Sequence, residues 1–70
     1  MTKKQMVEQI QVAEAKAWKV LQDAKQLWGD DDAFTQKRRA EWSMLYELRE
    51  ALGIPNLTVR ELEARNLLAA

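Results

Sequence analysis

Hydrophobic residues in the first 28 positions recur at spacings of four and three, and neither glycine nor proline interrupts them. This period is typical of one face of an α-helix. The recurring positions are Met6, Ile10, Ala13, Ala17, Leu21, Ala24 and Trp28. The pattern predicts a helix over residues 3–28, about 39 Å long at 1.5 Å per residue, which is long for so small a chain.

The apolar stripe of this predicted helix is wider than contact with a single neighbouring helix requires. The residues that extend it on both sides are Val7, Trp18, Val20 and Leu27. The alanines near the middle of the stripe permit another helix to approach closely. We therefore expect the first helix to pack against more than one other helix.

A glycine and a run of aspartates break the helical pattern. Gly29 suits a helix C-cap, and the aspartates at positions 30–32 supply capping oxygens for the next helix. The apolar period then predicts a second helix over residues 32–52. Arg38 and Glu41 fall within its apolar face, where we expect Glu41 to pair with Arg38 or with a charge on a partner.

The segment GIPN ends the second helix. Gly53 suits a C-cap, and the proline disfavours helical conformation at the residue before it. Thr58 and Glu61 match a capping box, in which each side chain accepts a hydrogen bond from the other residue's backbone N–H. A third helix is therefore predicted over residues 58–68.

These elements define an all-α fold in a single domain over residues 1–70. The short connection after the first helix predicts a long antiparallel hairpin, with the short third helix across one end. A chain of 70 residues buries a small core, and without cysteine no disulfide supplements it. We therefore expect self-association, with two copies dimerising into a helical bundle.

Composition argues against several classes of function. The chain has eleven basic and eleven acidic residues, no histidine and no cysteine, so the usual catalytic partners and thiolate metal sites are missing. The zero net charge makes nucleic acid the less favoured partner. We expect no enzymatic activity, no cofactor or metal site and no membrane association, and a cytoplasmic location for a soluble protein.

The leading hypothesis is a small non-catalytic module for protein–protein interaction or self-assembly. Because a two-helix hairpin has little interior, at least one of its large aromatic side chains is expected to contact another chain. A homodimer is favoured, and another protein is the other candidate partner. The residues predicted to form the interface are Met6, Ile10, Ala17, Trp18, Leu21, Trp28 and Trp42.

Residues 48–63 resemble a helix-turn-helix, in which apolar side chains flank a glycine in the turn. The resemblance is carried by the segment TVRELE and by Leu48, Leu52, Gly53, Ile54, Val59 and Leu62. It implies a DNA-binding or transcription-accessory protein as the second hypothesis. Arg49 stands where the motif has a small residue, so close packing of the two helices requires its side chain to extend outward. The residues predicted to contact DNA under this hypothesis are Arg38, Arg39, Asn56 and Arg60.

Overall fold

Three helices and no strands make up the part of the chain that the computed structural model describes, residues 2–68. Helix α1 spans Lys3–Trp28, α2 spans Ala33–Ala51 and α3 spans Val59–Ala64. The all-α class and the long hairpin with a short third helix are as predicted.

Local capping interactions fix both ends of α1. The Thr2 hydroxyl accepts a hydrogen bond from the Gln5 N–H at 3.2 Å, and the Gln5 side chain accepts one from the Thr2 N–H at 2.9 Å. This reciprocal pair is a capping box. Gly29 ends the helix with a φ of 84°, and its N–H donates to the Lys25 carbonyl at 3.0 Å.

The aspartate run organises the turn between α1 and α2. The Asp32 carboxylate accepts a hydrogen bond from the Phe34 N–H at 2.9 Å and so caps the N-terminus of α2. Asp30 accepts from the Arg39 side chain at 3.2 Å and lies 3.8 Å from the Lys25 ammonium group. These contacts give two of the three aspartates a structural role in the turn.

A Schellman motif ends α2 after Leu52. The Gly53 N–H donates to the Glu50 carbonyl and the Ile54 N–H donates to the Arg49 carbonyl, both at 3.1 Å. The motif requires a left-handed residue, which Gly53 supplies with a φ of 68°. The chain then turns back toward α1, where the Ile54 side chain is buried.

Replacing Gly53 by alanine is expected to lower the free energy of unfolding by about 1 kcal/mol. A Cβ at this position would meet no atom within 4 Å, so backbone strain at positive φ accounts for the whole effect. Urea denaturation at a fixed protein concentration measures the loss. Asparagine tolerates the left-handed region better, so Gly53→Asn should lose less than Gly53→Ala. Equal stability of the two variants would contradict this explanation.

Helix α3 is shorter than predicted. The Thr58 hydroxyl caps its N-terminus by accepting from the Glu61 N–H at 3.1 Å. Its C-terminus lies at Ala64, four residues before the predicted end, because Asn66 adopts a left-handed φ of 61°. The N–H groups of Asn66 and Leu67 then donate to carbonyls of the last turn at 3.0 and 2.9 Å in a second Schellman motif.

The core lies between the two long helices and under α3. Helices α1 and α2 pack antiparallel, and α3 packs against α1. The buried hydrophobic residues are Ala15, Leu21, Ala24, Ile54 and Leu62. Polar groups complete the core: the Thr35 hydroxyl donates to the Ala24 carbonyl at 3.2 Å, and the Gln11 side chain donates to the Pro55 carbonyl at 2.9 Å.

The protomer is thin for its length. Its principal extents are 38 × 26 × 17 Å, and a single helix with its side chains is about 10–12 Å across. The hairpin is therefore close to one layer of helices, with α3 added on one side at the end where α1 begins. Stable domains pack two layers around a core, so the opposite side of the hairpin lacks a second layer within the protomer.

Candidate functional site

Large hydrophobic side chains are exposed over much of the hairpin. The five buried hydrophobic residues are outnumbered among the described residues by ten large ones that remain open to solvent. These ten are Met6, Trp18, Val20, Leu27, Trp28, Phe34, Met44, Tyr46, Leu48 and Leu52. Single exposed hydrophobic residues are ordinary, but a contiguous apolar area marks an interaction site.

Most of these side chains belong to two parallel stripes, one on each long helix. The α2 stripe, and the α1 stripe as far as Val20, follow spacings of three and four, and Leu27 lies two turns beyond Val20. These spacings keep residues on one side of a helix. The α1 stripe consists of Met6, Ile10, Ala13, Ala17, Val20 and Leu27. The α2 stripe consists of Phe34, Arg38, Glu41, Leu45, Leu48 and Leu52. We call these two stripes together the open face, because α3 packs on the other side of the hairpin.

Short side chains form the middle of the α1 stripe, and larger apolar residues continue the stripe in both directions along the helix. Ala13 and Ala17 are half-buried with short side chains, which allows a helix from another molecule to approach closely. Val20, with 44% of its surface exposed, continues the stripe toward the turn. The face is therefore suited to helix packing over a long, flat contact.

One ion pair interrupts the apolar α2 stripe. The Arg38 guanidinium binds the Glu41 carboxylate at 2.6 Å, which confirms the predicted pairing of these residues. The Arg38 side chain also lies over the Phe34 ring, 4.9 Å from its centroid. Its buried Nε has no hydrogen-bond partner among the described residues. Glu41 keeps half of its side chain exposed and can accept a second cation.

Two aromatic rings close the face at the turn. The Trp28 and Phe34 rings pack edge to face with their centroids 4.9 Å apart. They nevertheless remain 54% and 44% exposed. The turn positions these rings against each other and leaves most of their outer surface for a partner.

The structure divides the predicted interface residues into three groups. Met6 and Trp28 are exposed on the hairpin's open side, and Ile10 and Ala17 are half-buried there. Leu21 is 3% exposed and belongs to the core between α1 and α2, so the protomer itself accounts for its burial. Sequence periodicity placed Leu21 on the apolar stripe of α1 and Val20 beside it. It did not show that Leu21 is buried and Val20 exposed.

Trp18 and Trp42 lie on the side of the hairpin away from the open face. Their ring centroids are 5.1 Å apart, and Tyr46 continues the row 5.4 Å beyond Trp42. With residues 56–60, which end the loop after α2 and begin α3, these rings line a groove of about 420 Å³. Their mutual packing covers part of each ring, and Trp18 and Tyr46 remain 41% and 40% exposed.

A buried ion pair lies beneath this groove and joins both helices to the loop. The Arg49 Nε donates to the Glu14 carboxylate, and the Arg49 Nη1 donates to the Ile54 carbonyl at 3.0 Å. Arg49 is 4% exposed and Glu14 is 6% exposed. Arg49 does not take the outward course that helix-turn-helix packing requires of it: its side chain turns inward, because Glu14 and a loop carbonyl satisfy its donors.

The Arg49 guanidinium stays charged throughout the accessible pH range. Its hydrogen bond to Glu14 raises the pKa of Arg49 above its ordinary value, against the opposing effect of burial. The cation also lies 5.1 Å from the centroid of the Tyr46 ring and 3.3 Å from the Glu50 carboxylate. Through Arg49 the pair links helix α1, helix α2 and the loop after α2.

The helix-turn-helix geometry is not formed. A helix-turn-helix packs its two helices directly across a turn of three or four residues. Here the connection covers residues 52–58, and α3 packs on α1 and not on α2. The reason is the Arg49 side chain, which fills the space beside α2 and holds the loop at Ile54.

The residues predicted for DNA contact do not form one surface with a common role. Arg38 and Arg39 are held in ion pairs with Glu41 and Asp30 respectively. Asn56 and Arg60 are exposed at the rim of the aromatic groove, at the other end of α2.

The described residues contain no group of three or more metal-binding side chains. None of the helices within residues 2–68 combines the length and the apolar character needed to cross a membrane. Comparison of the chain with protein-family models, with curated proteins and with solved structures finds no match to any of them. The function must therefore be argued from the open face itself.

Proposed function

We propose that the chain is a small cytoplasmic, non-catalytic self-assembly module, in which two copies associate through the open face. The single observation that carries this proposal is the pair of apolar stripes left uncovered along α1 and α2. A second hairpin laid on these stripes would complete a four-helix bundle and supply the missing layer.

The exposed surface of the protomer supports association. It measures 5241 Å², whereas a compact monomer of 8.1 kDa exposes about 4,500 Å². The excess is about 700 Å², close to the roughly 800 Å² that each partner buries in a standard protein interface. An interface of ordinary size would therefore bring the exposed surface per copy back to the compact value.

The chemistry of the stripes supports a helix as the partner surface. The α1 stripe has two small side chains, Ala13 and Ala17, with larger ones such as Val20 beyond them, and this relief can receive the side chains of a second helix. The α1 half of the face is apolar along its centre, as in the cores of homodimer interfaces. An α-helical second copy of the same chain presents such a surface without any further partner.

Sedimentation equilibrium of the unmodified protein is expected to show a reversible dimer between low and high micromolar concentration. Val20→Glu is expected to shift the chain to monomer, because it places a charge at the centre of the α1 stripe. Val20 is exposed in the protomer and glutamate is a good helix former, so the helical circular dichroism signal should persist.

Gln26→Glu is the matched control. It adds the same charge to an exposed position of α1 outside the stripe, and dimerisation should be unchanged. A monomeric unmodified protein at high micromolar concentration would contradict the proposed function. Equal dimerisation of the two glutamate variants would show that the α1 stripe is not the interface.

A further inference from the structure

We infer that the dimer is an antiparallel, two-fold symmetric arrangement in which Arg38 of each copy binds Glu41 of the other. This inference rests on the proposed self-association and adds the orientation and register of the two copies. Its starting observation is the ion pair placed within an otherwise apolar α2 stripe.

Charge complementarity identifies a second copy as the partner for this part of the face. In a two-fold interface, if one residue contacts a second residue of the partner, that second residue contacts the first residue of the partner. One cation and one anion, a single helical turn apart, are therefore self-complementary when α2 meets α2 of the second copy antiparallel. Charges covered by an interface must be paired and hydrogen-bonded. This register supplies each of them with a second opposite charge.

The same register matches apolar residues with one another. If Arg38 faces Glu41 of the second copy, the equal spacing on either side places Phe34 opposite Leu45 of that copy. Both side chains belong to the α2 stripe and lie one turn beyond the charged pair. The two-fold axis then passes between positions 39 and 40 of α2.

Helix α1 fits the same axis. Contacts between the helices pair Ala24 with Thr35 and Trp18 with Trp42, so positions 39–40 of α2 lie level with about position 20 of α1. The two-fold rotation about that level brings Ala13 opposite Leu27 of the second copy. A small residue then faces the most exposed large residue of the α1 stripe, as interdigitated packing requires.

The test is a charge-exchanged variant, Arg38→Glu with Glu41→Arg, mixed with the unmodified protein. Each chain keeps an ion pair within its own α2, so a purely local role of the pair predicts random mixing. In the inferred dimer each pure protein is complementary, whereas the mixed dimer brings two cations together and two anions together. Native mass spectrometry of the equilibrated mixture, with one protein isotopically labelled, measures the mixed fraction.

The mixed dimer is expected to fall below about one fifth of all dimers, instead of the half that random mixing produces. High salt should raise the mixed fraction toward one half, because it screens the charges. Random mixing at low salt would overturn this inference while leaving dimerisation intact. Failure of the unmodified protein to dimerise would instead refute the proposed function, so the two outcomes are distinguishable.

Discussion

Glu14→Gln is expected to lower the free energy of unfolding by about 3 kcal/mol. The substitution leaves the Arg49 guanidinium buried beside a neutral amide, with only Glu50 close enough to pair. Breaking a buried pair from one side costs about 3–5 kcal/mol. The lower end applies here because water surrounds a protomer only 17 Å thick.

Denaturation with urea at a fixed protein concentration measures this loss. Glu47→Gln removes a carboxylate from an exposed position of α2 and should change stability by less than about 0.5 kcal/mol. The double variant Glu14→Leu with Arg49→Met removes both charges and should be more stable than Glu14→Gln, because no unpaired charge remains buried. If Glu14→Gln were as stable as the unmodified protein, the pair would have no structural role.

Leu21→Ala is expected to lower the free energy of unfolding by about 3 kcal/mol, the range for a leucine whose removal leaves a cavity in a core. Leu21 is 3% exposed and is one of only five buried hydrophobic residues among those described. The core is small, so little neighbouring structure can collapse into the space. Denaturation monitored by tryptophan fluorescence measures the loss.

Val20→Ala is the matched comparison, one position earlier on the same helix. Val20 is 44% exposed in the protomer, so its truncation should weaken dimerisation more than it weakens the fold. The Leu21 variant should lose stability at every protein concentration, whereas the loss at Val20 should appear at the concentrations where the unmodified protein is dimeric and should vanish where both proteins are monomers. The same concentration dependence for both variants would contradict the assignment of Leu21 to the core.

Helix ends were predictable wherever short-range interactions set them. The bounds of α1 agree with the prediction, and those of α2 differ by one residue at each end. Gly29 and Gly53 act within one turn of the helices that they terminate, so the sequence around them contains all the required information. The end of α3 was missed because asparagine, unlike glycine, adopts a left-handed conformation only in certain contexts.

The sequence predicted an apolar surface on α1, but it did not predict which residues of that surface are exposed. Periodicity identified an apolar stripe on α1 that was too wide for one neighbour, and part of that stripe is exposed. The same periodicity could not predict that Leu21 is buried and Val20 exposed. Adjacent residues point in different directions around the helix axis, and the sequence does not show which of these directions faces α2. Which of the two is buried depends on the angle at which the hairpin closes.

The sequence by itself determined the three helices and the turn between the long ones, because these depend on contacts between residues near in the chain. It also showed that the apolar stripe of α1 is wide, because the spacing of apolar residues can be counted along the chain. Only the tertiary structure decided that Arg49 turns inward to Glu14, 35 positions away. That contact directs the loop after α2 toward α1, and α3 therefore covers one side of the hairpin. Most of the other side stays open because α3 does not pack on it, which is a property of packing and not of local pattern.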